Sequence, residues 1–98
     1  MTVRIIPEAR EELSEAFEFY RLIDFELGNR FRDEVGKIIE SLKEDPYRWR
    51  QRREGHRRIN CATFPYYVAY RIREDEIVVV AIGHGARRPG YWRGRRIS

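Results

Sequence analysis

Cysteine is nearly missing from this chain. Cys61 stands alone, so no internal disulfide can form, and a reducing, cytoplasmic setting is expected. No apolar run nears the roughly 20 residues of a membrane span. The opening "MTVRIIPEAREEL" has neither the cationic start nor the long apolar stretch of a secretory leader. His56, Cys61 and His84 do not fall into a zinc spacing, so no metal is expected. "GHGARRPG" lacks the GxxxxGK[ST] order of a phosphate loop and precedes no helix of useful length, and no cofactor is expected either. Repeats, linkers and low-complexity tracts are also lacking. Ninety-eight residues then imply one domain spanning 1–98, large enough to bury a core without a disulfide or metal.

Lysine is the scarcest of the charged residues. Only Lys37 and Lys43 occur, both in the acidic half. Residues 1–45 carry seven Lys/Arg against twelve Asp/Glu, a net of −5. Residues 46–98 carry thirteen Arg against four Asp/Glu, a net of +9, which restores the overall +4. Arginine forms planar, bidentate contacts with carboxylate or phosphate and stacks on aromatic rings, so an all-arginine half points to an anionic partner. The competing reading is internal: part of this charge neutralises the acidic half within the fold.

Periodicity gives the elements. "TVRII" alternates as a short strand. Pro7 suits a helix start, with Glu8, Glu11 and Glu12 at the positive end of the helix dipole. Ala9, Leu13, Ala16, Tyr20 and Ile23 form one apolar stripe, predicting a helix over 7–22. Asp24 can cap a second helix with the stripe Leu27, Phe31, Val35, Ile38 and Leu42, ended by Asp45-Pro46. Gly28 and Gly36 should weaken it. The two helices, so closely joined, predict an antiparallel hairpin.

"YRWRQRREGHRR" (47–58) holds six arginines and shows no periodicity, reading as a basic loop before strand "RRINCA". "YYVAYRIR" (66–73) alternates, with Tyr66, Val68, Tyr70 and Ile72 facing the helices and Tyr67, Ala69, Arg71 and Arg73 facing outward. Glu74-Asp75 turns the chain into "EIVVVAIGH", apolar on both faces and so interior to the sheet. The fold class expected is α+β, in the order β-α-α-β-β-β, an antiparallel sheet with the helical hairpin on one face. The other face should stay open, presenting Tyr67, Arg71 and Arg73 to a nucleic-acid backbone or an acidic peptide.

Chemistry centres on "HGARRPGYW" (84–92), which follows the last strand. A histidine to move a proton and arginines to hold a phosphate would make a metal-free ribonuclease: His84, Arg87, Arg88, Tyr91 and Arg71. Against this, His84 serves equally well as a hydrogen-bonded strand end, and Tyr91 and Trp92 as anchors folding the tail onto the sheet. Trp49 plugs the core end below helix 2. Cys61 reads as a small buried hydrophobe, His56 as solvated, and "RGRRIS" as a frayed end.

The segments "EAREELSEAFEFY", "RFRDEVGKIIESLKEDP", "FPYYVAYRI" and "HGARRPGYW", in this order and over nearly the whole chain, resemble the RelE/ParE toxin superfamily, and within it the ParE-type, plasmid-stabilisation branch. The resemblance implies the toxin of a type II toxin–antitoxin pair, silenced by an antitoxin whose acidic, disordered C-terminal segment folds on binding. A target- or antitoxin-binding face would then comprise Arg57, Arg58, Tyr67, Arg71, Arg73, Arg87, Arg88 and Trp92. RelE-like members cut mRNA on the ribosome, whereas ParE-like members inhibit DNA gyrase. Tyr67 stands where RelE-like toxins place a strand arginine, Gly85 follows His84 where they place another, and their lysines before strand 2 are missing here. These departures favour the gyrase reading over the endoribonuclease. A third possibility is an inactive toxin serving only as the antitoxin's co-repressor.

Overall fold

The computed structural model describes residues 1–97. Strand β1 (Thr2–Ile5) leads into helices α1 (Pro7–Ile23) and α2 (Phe25–Glu44), then strands β2 (Arg57–Asn60), β3 (Tyr66–Arg73) and β4 (Glu76–His84). The sheet order is β1-β4-β3-β2. The three later strands form the expected antiparallel meander, but β1 runs parallel to β4, so the sheet is mixed. The helical hairpin spans the crossover that any parallel neighbour requires. β4, buried from Ile77 to Gly83, is interior as its continuous apolar run implied.

A single residue joins the helices. Asp24 takes an extended conformation, donates its N–H to the Tyr20 carbonyl, and accepts from the Glu26 N–H at 2.8 Å through its side chain. It ends one helix and caps the next. Ala9 and Ala16 of α1, and Phe31, Val35 and Leu42 of α2, are buried on the sheet side as their spacing predicts. Ile23, placed in that stripe, is instead 62 % exposed, at the last residue of α1 beside the hairpin turn. Phe19, Leu22 and Phe25 are exposed beside it in sequence.

Gly28 is a close-packing position: a Cβ there would lie 2.9 Å from the Arg21 backbone, so its lack of a side chain lets the helices approach. At Gly36 a Cβ would meet nothing within 4 Å. β2 stops at Asn60 rather than Ala62. From there Glu34 of α2 holds the turn, accepting hydrogen bonds from the Ala62 and Thr63 N–H groups and the Thr63 hydroxyl. No described helix is long and apolar enough to cross a membrane.

Candidate functional site

The sheet face turned away from the helices is not open. Tyr67 is 3 % exposed, and Ala69 and Val78 are fully buried. Trp92 packs on this face, donating its indole N–H to the Tyr67 hydroxyl at 2.9 Å, and Gly83 clears the space for the Tyr67 ring. His56 meets the Trp92 ring edge-on at 4.6 Å, and the Arg58 guanidinium stacks over Tyr67 at 4.1 Å. The tail and the basic loop thus close this face, and the hydrophobic core continues through the sheet to include Tyr67, Ala69 and Trp92. Tyr67 is too deep to touch a partner directly and supports the surface that would. Trp92, 3 % exposed, shows only the part of its ring that borders the cleft beside the basic loop.

His56 is a correction to the solvated loop histidine expected from sequence. It is 5 % exposed, and its Nδ1 has no hydrogen-bond partner. Burial is the main influence holding its pKa below the usual value; the Arg53 backbone opposes this, and the charges of Arg93, Arg71 and Arg52 add to it. The signal was available: counting back by twos from Asn60 and Arg58 puts His56 on the face of Tyr67 and Ala69.

The tail is tied down, not frayed. β1 ends at Ile5, and after the Ile6 N–H has bonded to Val79 the upper edge of β4 has lost its strand partner. Glu12 and Arg95 take over that edge. Glu12 accepts from the Ile82 N–H at 3.0 Å, and Arg95 donates to the Val80 carbonyl at 3.0 Å. The two side chains also pair through two hydrogen bonds of 2.8 Å, and Tyr91 donates its hydroxyl to Glu12. Burial pushes the Glu12 carboxyl up, but its hydrogen bonds from Arg95, Tyr91 and Ile82 outweigh that and hold it below the ordinary carboxylate range. Burial, then the Glu12 bond, push the Tyr91 hydroxyl well above its ordinary value. Further on, the Ile97 carbonyl accepts from Arg4. Glu12 was missed as a site residue, although it sits between Ala9 and Ala16 within the apolar stripe of α1.

The sequence-predicted catalytic set is divided by the sheet. His84 lies across from Tyr66, whose ring packs on Tyr20 and Phe31 of the helices, and its Nδ1 accepts from the Ala86 N–H at 3.0 Å. Arg87 stays with it, stacked 3.8 Å over Tyr91 and 3.6 Å from Glu12. These residues line a small pocket of about 230 Å³ against α1. Arg71, across from Val78, points to the opposite face, where its guanidinium approaches Gly55. Arg88 is exposed on the loop after β4. Arg57 bonds the Trp49 carbonyl, while Arg73 lies exposed at the far end of β3. Trp49 is half-buried against the core and Cys61 is likewise partly buried, its thiol pushed up to about 11 by burial, then by Glu34.

Ion pairing separates the two readings of the charge. Among the described residues only Arg87, Arg93 and Arg95 of the basic half meet a carboxylate, and Glu12 is the sole acceptor contributed by the acidic half. Internal neutralisation is therefore slight, and most of the arginines face solvent without a carboxylate partner.

A family profile described as "ParE toxin of type II toxin-antitoxin system, parDE" matches residues 3–89. The chain belongs to the ParE toxin family. Its fold is similar to a solved chain described as "Chromosomal ParDE TA system from P. aeruginosa", with a TM-score of 0.65 at 18 % identity, covering 86 % of this chain and 95 % of that one. No curated protein matches in sequence. Membership makes this chain a toxin of the type II toxin–antitoxin class, with an antitoxin as its partner.

Proposed function

We propose that this ParE-family toxin acts in the cytoplasm by binding DNA gyrase, and that an acidic antitoxin segment silences it by docking on the arginine surface. The observation that carries the binding reading is the division of the nuclease set: Arg71 lies on one side of the sheet, His84 and Tyr91 on the other. A general base and the cation that holds the scissile phosphate must reach the same group. Arg87 does share the His84 side, but it is stacked on Tyr91 and drawn to Glu12 at 3.6 Å, so with Arg71 on the other face the arrangement disfavours phosphodiester cleavage. The Tyr91 hydroxyl is moreover engaged with Glu12 and raised away from proton donation at neutral pH. The arginines without carboxylate partners supply the complement for an acidic segment that folds on binding.

The test is pulse-labelling after inducing this chain alone in a bacterium, following thymidine and methionine incorporation over the first minutes. DNA synthesis is expected to fall first. Protein synthesis falling first would overturn the gyrase reading in favour of an endoribonuclease. Growth without arrest would indicate a co-repressor that binds antitoxin only.

A further inference from the structure

Between the basic loop and the tail lies a cavity of about 380 Å³, within the range of small-ligand sites. Arg50, Arg52, Arg53, Arg58, Arg93 and His56 line it, and no carboxylate does. We propose that this cavity is an oxyanion site that takes a phosphate group, carried by a free nucleotide or by a nucleic-acid backbone.

Three observations carry the assignment. Of the five lining arginines only Arg93 is ion-paired among the described residues, with Glu54 at 2.9 Å, so the other four bring cationic charge to the walls without a carboxylate partner. His56, 95 % removed from solvent, lines the cavity and keeps a buried Nδ1 without a hydrogen-bond partner, a polar group that the protein itself leaves unsatisfied at the cavity wall. The loop that presents Arg52 and Arg53 is fixed by a tight reversal. Glu54 and Gly55 take positive φ values of 63° and 82°, and the Arg52 N–H bonds the His56 carbonyl at 2.7 Å. A fixed loop holds its guanidiniums with less ordering cost on binding.

Phosphate suits this lining better than carboxylate. Its oxygens outnumber those of a carboxylate and carry more charge, matching several guanidinium forks at once. The site is separate from the His84 pocket, and its occupancy does not depend on which target the toxin attacks.

The test is calorimetric titration of the full chain at constant ionic strength with pyrophosphate, with acetate, and with a single-stranded trinucleotide lacking a terminal phosphate. Pyrophosphate is expected to bind one site. The double substitution Arg52→Gln/Arg93→Gln should weaken it about tenfold or more, and Arg88→Gln, outside the cavity, about twofold or less. Should the double variant fold poorly, imidazole NMR of the unaltered chain gives a second reading: the His56 ring signals shift on titration while those of His84 stay. Pyrophosphate binding alone assigns a free phosphate ligand. Trinucleotide binding that pyrophosphate displaces assigns a backbone phosphate. Acetate matching pyrophosphate, equal losses in Arg88→Gln, or neither phosphate probe binding would overturn the proposal.

Discussion

Glu12 shows how one side chain can hold a molecule's two ends together. Its carboxylate, 12 % exposed, receives a strand N–H, a tyrosine hydroxyl and a guanidinium from three separate parts of the chain. Removing its charge leaves Arg95 half-buried without its counter-ion, a larger penalty than loss of a surface pair. Glu12→Gln is expected to cost about 2 kcal/mol, lowering the melting temperature by about 10 °C at neutral pH. Because the folded carboxyl is held below its ordinary value, its stabilisation is complete above the unfolded pKa and fades as pH falls through the lower folded one. Thermal denaturation of both proteins from pH 7 to pH 3 should therefore show the gap narrowing below about pH 4. A gap that stays constant across that range would mean that the charge of Glu12 does not hold the tail.

At the level of elements, the helical hairpin separates two glycines that look alike in sequence. Gly28 packs directly against α1, and a new Cβ there would strike the Arg21 backbone, which can move only if the helices part. Gly36 sits on open helix surface. Gly28→Ala is expected to destabilise by about 1–3 kcal/mol, as overpacking does. Gly36→Ala should stabilise by about 1 kcal/mol, because alanine restricts the unfolded chain and favours the helix. Urea midpoints moving in the same direction for both would contradict this account of the crossing. The tail is a second element whose state depends on context. "RGRRIS" has no strand or helix signal, yet β1 is short enough to leave the β4 edge unpaired at Val80, where Arg95 donates to the carbonyl, while the Ile97 carbonyl separately accepts from Arg4.

For the whole molecule, the decisive property is charge without internal answer. The acidic helices and the arginine-rich second half meet chiefly at Glu12, so the field of the basic half extends into solvent. Binding of an acidic antitoxin peptide should then weaken on the order of tenfold as salt rises from about 0.1 M to 1 M, where the screening length shrinks from about 10 Å to 3 Å. Fluorescence anisotropy across that series would measure it. A flat response would place the docking contact on apolar surface instead, with the exposed tip residues Phe19, Leu22, Ile23 and Phe25 as the first candidates.

What the sequence determined by itself were the features written in local spacing. The stripes of α1 and α2, the Asp24 cap, the stop at Asp45-Pro46, the interior β4 and the −5/+9 charge division all follow from neighbours a few residues apart. The direction of β1, the burial of His56 and Tyr67, the division of Arg71 from His84 and the role of Glu12 depend on residues brought together from far along the chain. Tyr67 and Trp92 are 25 positions apart, and Glu12 and Arg95 are 83 apart. Such pairings leave no period to read, because whether a polar side chain faces water or a partner is set by what the tertiary fold lays over it.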